Sequence, residues 1–152
     1  MSAARTFFDT NVLLYMYSAA DPCKQLRAQE LFEQSARSGE VLLSTQVVQE
    51  FYTASSRKLA LPRGEVRAAT AALLDLPMVI LGPTHIKAAI EIEERDAISF
   101  WDALIVAAAE AGGAELLYTE DLTDGQLYGK VMVRNPFVFD ASRPTEPQME
   151  PQ

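Results

Sequence analysis

Four carboxylates fall at points of the chain where a fold could gather them: Asp9, Glu50, Asp102 and Asp121. Asp9 follows the aromatic pair Phe7-Phe8 and precedes Thr10-Asn11 and an apolar run. Several carboxylates at one place suit a hard divalent cation such as Mg²⁺, which takes oxygen ligands and shares its shell among a few acids, water and phosphate. A cation held in this way lowers the pKa of its water and neutralises charge on a phosphoryl group during in-line displacement. Metal-assisted chemistry at phosphorus is therefore the reaction class these residue types point to.

Other chemistries find little support. His85 is the single histidine, so a two-histidine acid–base pair is impossible within one chain and a zinc site is poorly supplied. A nucleophilic Cys23–His85 pair has no local sequence signal. No glycine-rich phosphate loop is present. A phosphatase of the haloacid-dehalogenase type would place a second aspartate two residues after the first, where this chain has Asn11.

The elements that would position the acids alternate between strand and helix. A short buried strand ending at Phe8 puts Asp9 at its carboxyl end, and Thr10-Asn11 starts a helix through Val12, Leu13 and Tyr15. Asp21-Pro22 pairs an N-cap with a proline at the first helical position. The helix they open keeps Ala28, Leu31, Phe32 and Ser35 on one face and ends at Gly39. Val41-Leu42-Leu43 reads as a second strand, after which Ser44 caps a helix carrying Val47, Val48, Phe51 and Tyr52. Leu61-Pro62 interrupts, and Val66, Ala69, Leu73 and Leu76 recur at helical spacing. Met78–Leu81 is expected as a third strand. A helix from about Thr84 follows with Ile86, Ala89 and Ile90. Ser99 then caps an almost wholly apolar helix that runs to Ala111 and closes at Gly112-Gly113. Glu115–Tyr118 reads as a fourth strand and Val131–Val133 as a fifth.

Apolar strands that do not alternate, separated by helices, indicate a parallel sheet covered on both faces. Ligands of such sheets bind at the carboxyl ends of the strands. Asp9 and Asp121 lie at two of those ends, and Asp102 in the first turn of a helix starting at the same edge. Glu50 lies six residues past Ser44, about 9 Å along its helix, and joins the group if that helix leans over the edge.

Each acid also has an ordinary reading. Asp9 can simply cap its helix, Ser99-x-x-Asp102 resembles a capping box, Glu50 can be solvated, and Asp121 and Asp124 can be turn residues around Gly125. Convergence of four chain-distant acids on one edge is what favours a site.

With 49% hydrophobic and 22% charged residues, the chain reads as an ordinary globular protein rather than a disordered one. One ordered domain is expected over residues 1–140, with a Pro-, Glu- and Gln-rich tail over 141–152 expected to be disordered. No signal-like segment and no apolar run of about 18 residues is present. A lone cysteine, Cys23, fits a reducing cytoplasm. The net charge of −8 argues against simple basic-patch binding of nucleic acid. Yet Arg57, Lys58, Arg63 and Arg67 form a basic shoulder on either side of Leu61-Pro62, placed to contact phosphates beside an acidic site.

Taken together, Phe8-Asp9-Thr10-Asn11-Val12-Leu13, Glu50 in Val47-Val48-Gln49-Glu50-Phe51, Trp101-Asp102-Ala103-Leu104-Ile105 and Tyr118-Thr119-Glu120-Asp121-Leu122 resemble the four acidic motifs of PIN-domain ribonucleases. Within that group the chain is most similar to VapC-type toxins of bacterial toxin–antitoxin pairs, over about Phe7 to Phe139. The resemblance implies a three-layer α/β/α sandwich with a central mostly parallel sheet. It further implies dimerisation, Mg²⁺- or Mn²⁺-dependent cleavage of RNA, and a cognate antitoxin. Asp9, Asp102 and Asp121 would hold the metal, with Glu50 completing the site or orienting the attacking water. Asn11, Ser99 and Thr119 match positions of polar support. Asp121 and Asp124 both follow the fourth strand; Asp121, nearer its end, is the expected fourth acid. Two alternatives of other classes are a metal-dependent phosphomonoesterase and a PIN-like module that binds RNA or protein without cutting.

Overall fold

The structure is a computed structural model and describes residues 4–138. Its strands are β1 (Arg5–Phe8), β2 (Val41–Ser44), β3 (Met78–Val79), β4 (Ala114–Tyr118), β5 (Leu127–Tyr128) and β6 (Val131–Arg134). The helices are α1 (Thr10–Tyr15), α2 (Pro22–Arg37), α3 (Thr45–Arg57), α4 (Arg63–Leu74), α5 (Pro83–Asp96) and α6 (Phe100–Ala111). They build one sheet in the order β3-β2-β1-β4-β6-β5, parallel except for the β5–β6 pair. The expected α/β architecture, a mostly parallel sheet flanked by helices, is what the chain adopts.

β1 lies at the centre because both of its faces are covered: Phe7 and Phe8 are fully buried although they point to opposite sides. Its register against β4 pairs Phe8 with Tyr118, which levels the two carboxyl ends. α6 is the innermost helix, with every residue from Ala103 to Ala109 buried. Alanines let it approach the sheet closely. At its end, a Cβ on Gly112 would run into the side chains of Leu42 and Val79, which would have to shift to admit it. Gly113, at φ +77°, then turns the chain into β4.

Several expectations from sequence change. The third strand stops at Val79 instead of reaching Leu81. Ile80 points into solvent, and the Leu81 N–H is taken by the Thr45 hydroxyl at 3.2 Å. The fifth expected strand is present as β6, but β5 precedes it as a two-residue antiparallel partner, too short to show an alternating pattern. α4 ends at Leu74, so Leu76 packs on the core from the following turn. In α5 the core face is Ala89 and Ile92, while Ile86 and Ile90 are exposed, as is Tyr52 on α3. His85 serves the start of α5: its Nδ1 accepts the Gly82 N–H at 2.9 Å. Among the described residues no helix is long and apolar enough to cross a membrane. The tail at 141–152 lies outside the described residues.

Candidate active site

Asp9 ends β1 and caps α1. Its Oδ1 accepts the Thr10 N–H at 2.7 Å and its Oδ2 accepts the Thr119 hydroxyl at 2.8 Å. Capping and membership of an acid cluster, alternatives in the sequence, coexist at this residue. Thr119, fully buried after β4, also accepts the Asp121 N–H at 3.1 Å. One hydroxyl thus ties the ends of the two central strands together. The Asn11 side chain spans the same gap: its Nδ2 donates to Asp121 Oδ2 at 2.9 Å and reaches Thr119 Oγ1 at 3.4 Å and Asp9 Oδ2 at 3.5 Å.

Glu50 comes from α3. The residue is exposed, yet both carboxylate oxygens are held: the Thr10 hydroxyl donates to Oε2 and the Gln46 Nε2 to Oε1, each at 2.9 Å. Gln46 Nε2 also reaches the Trp101 carbonyl at 3.3 Å, joining α3 to the first turn of α6. Asp102 lies in that turn, which Ser99 caps by accepting the Asp102 N–H at 3.1 Å. Sequence reasoning missed Thr10 and Gln46 as partners of Glu50. A signal existed for Gln46, which stands four residues before Glu50 on one helical face.

Asp9 and Asp102 both feel the charges of Asp121 and Glu50. Asp9 is only 6% exposed. Burial pushes its carboxyl up to about 7, the Thr119 and Thr10 hydrogen bonds oppose the rise, and the charges of Asp121 and Glu50 add to it. Asp102 is raised too, first by burial, with Ser99 easing the shift and Asp121 and Glu50 adding to it. No lysine or arginine figures among the causes at either acid. The neighbouring Glu120 is treated differently. It accepts the Tyr15 hydroxyl at 2.9 Å and pairs with Lys24 at 3.2 Å, so its charge is already answered. Asp124 Oδ1 accepts the Asn135 N–H at 2.8 Å, a turn contact that directs it towards the start of the 135–138 segment.

Beside the acids opens a cavity of about 530 Å³, whose lining includes Asn11, Glu50 and Asp121 together with Arg57 and Lys58. Asp9 and Asp102 do not line it, nor do Arg63 and Arg67, so the expected basic shoulder is divided. Among the described residues no group of three or more acid, histidine or cysteine side chains is placed so that it could hold a metal ion as it stands. The donor chemistry nevertheless fits a hard cation. The acids are all-oxygen donors, and the carboxamide oxygens of Asn11 and Gln46 are buried without a hydrogen-bond partner.

Comparison with known proteins places this geometry. The PIN-domain sequence model matches residues 6–123. Among solved structures, the chain is similar to VapC20 of Mycobacterium tuberculosis, a sarcin–ricin loop cleaving toxin. The TM-score is 0.63 at 22% identity, covering 76% of this chain and 89% of that one. A toxin–antitoxin complex from Klebsiella pneumoniae gives a TM-score of 0.66 at 18% identity, over 90% of this chain and 100% of the other. VapBC2 of Rickettsia felis, solved on a DNA fragment from its promoter, gives 0.62 at 17% identity, over 86% and 97%. A comparison with curated protein sequences finds no match. At these identities the solved structures speak for the fold, and the sequence match speaks for the family: this chain belongs to the PIN-domain family.

Proposed function

We propose that the chain is a metal-dependent endoribonuclease, the toxin of a toxin–antitoxin pair acting on cytoplasmic RNA. The observation that carries this reading is the pair of acids at the carboxyl ends of β1 and β4, Asp9 and Asp121, bridged by Asn11 and Thr119 in a chain of the PIN family. Asp9, Asp102 and Asp121 would hold Mg²⁺ or Mn²⁺. When bound, such an ion supplies positive charge against the phosphoryl oxygens and acidifies water. Asn11 and Thr119 keep the Asp9 and Asp121 carboxylates turned towards each other despite their repulsion. Glu50, with Thr10 and Gln46 each occupying one side of its oxygens, retains lone pairs to accept a hydrogen bond from the attacking water. That water adds to phosphorus, the P–O bond to the departing ribose breaks, and the departing oxygen takes a proton from solvent.

Arg57 and Lys58 line the same cavity as Glu50 and Asp121 and are placed to hold a neighbouring phosphate of the strand. Support for a protein partner that blocks the site comes from the Klebsiella and Rickettsia neighbours, both solved as toxin–antitoxin assemblies. A homodimer is part of the same proposal. Purified protein should cut total RNA in Mg²⁺ or Mn²⁺ and stop in EDTA. Cleavage undiminished by EDTA would end the metal-dependent reading, and hydrolysis of phosphomonoesters alone would replace the substrate class.

A further inference from the structure

The chain has a single tryptophan, and it is spent in an unusual place. Trp101 is 64% exposed, although the next turns of the same helix, Ala103–Ala109, are wholly buried. It directly precedes Asp102. Its backbone is anchored by Gln46 through the carbonyl, and its ring meets Phe100 edge-on, with centroids 5.2 Å apart and planes at 73°. The indole is therefore held in place with much of its surface open to solvent.

α3 acts as a ruler along this edge. Gln46, holding Trp101, lies about 6 Å before Glu50, and Arg57 about 10 Å after it, at 1.5 Å per residue. A strand running from the basic pair across the acids leaves on the side of Trp101. On that side Asp102 stands in the field of Glu50 and Asp121, and the three carboxylates repel phosphates. Attraction there has to come from a contact indifferent to charge, and stacking of a base on an aromatic face is such a contact.

We infer that Trp101 is a stacking platform for one unpaired base of single-stranded RNA, next to the phosphate that is cut at the acids. The inference rests on the nuclease reading and deepens it by naming the substrate form: unpaired bases can be splayed onto an aromatic ring, whereas bases stacked in a duplex cannot.

Being the only tryptophan, Trp101 reports on itself. In EDTA, a short single-stranded RNA of mixed sequence should quench the protein's indole emission, and an oligonucleotide of the same length built on abasic ribose should not. Trp101→Ala should bind the labelled RNA about tenfold or more weakly and raise KM in Mg²⁺ more than it lowers kcat, with Trp101→Phe in between. RNA that binds and is cut while wild-type emission stays unmoved overturns the platform and leaves the nuclease standing. RNA neither bound nor cut overturns both. If Trp101→Ala leaves RNA affinity intact but lowers the mass of the protein in light scattering, the ring belongs to an interface between protein copies and the inference is wrong.

Discussion

Two acidic regions of this molecule behave in opposite ways. α5 carries Glu91, Glu93, Glu94 and Asp96 within six residues, the densest run of acids in the chain. Three of them are no more than partly covered by neighbours. The fourth, Asp96, pairs at 2.9 Å with Arg95, which is itself largely exposed. Water screens such charges, and they hold nothing in place. Of the acids gathered at the carboxyl edge of the sheet, Asp9 is buried and Asp102 partly so. Glu50 and Asp121 are exposed but act on both, and the repulsion at Asp9 is felt through a drier medium. Density in the chain does not make a site; burial and convergence do.

The sharpest way to break that contrast is one atom at the site. Asp102→Asn removes a charge and keeps the shape, and should reduce RNA cleavage roughly 10²-fold or more. Glu93→Gln and Glu94→Gln together should leave it unchanged. Wild-type cleavage by purified, folded Asp102→Asn would remove Asp102 from the site.

Next in size is a stability effect with a pH signature. The Asp9 carboxyl is raised in the folded protein, from 3.8 to about 7. The folded state then binds more protons than the unfolded one between these values, so stability falls as pH climbs through the window and no penalty exists below it. At 1.36 kcal/mol per pKa unit the full penalty above pH 7 is about 4 kcal/mol at most. Asp9→Asn should flatten this dependence and, in EDTA at pH 8, raise the melting temperature by several degrees. The gain is partial, because the carboxamide keeps the Thr10 N–H but meets the Thr119 hydroxyl with a donor. Mg²⁺ should stabilise the wild type by about 2.7 kcal/mol at a hundredfold excess over its dissociation constant, and the variant less. Equal Mg²⁺ shifts in both proteins would leave Asp9 a helix cap alone. The α5 double variant serves as the reference, with a change within about 0.5 kcal/mol.

The smallest effect concerns the divided basic shoulder. Arg57→Ala should weaken RNA binding several-fold at low salt, with the loss shrinking as salt rises. Arg63→Ala, off the cavity wall, should change it little. Equal losses from both would move the RNA path onto α4 and away from the cavity.

The sequence alone settled the alternation of strand and helix and the caps at Asp21, Ser44 and Ser99, and it left Asp9 between a cap and a site acid. The alternation and the caps rest on interactions within a few residues, where the chain's order is its geometry. What it left open depended on partners far along the chain. Glu120 and Asp121 are adjacent and chemically alike, yet Lys24 and Tyr15 neutralise one while Asn11, 110 residues away, turns the other towards Asp9. In sequence Glu50 allows either a solvated flank or a place beside the other acids, and Thr10, 40 residues before it, donates to its carboxylate. On α5, Ile86 and Ile90 share helical spacing with Ala89, and packing against α6 decides that Ala89 and Ile92 turn inward while the two isoleucines stay exposed. Those choices were fixed by the register of β1 against β4 and the lean of α3 over the sheet edge, which set distances between groups that no local pattern relates.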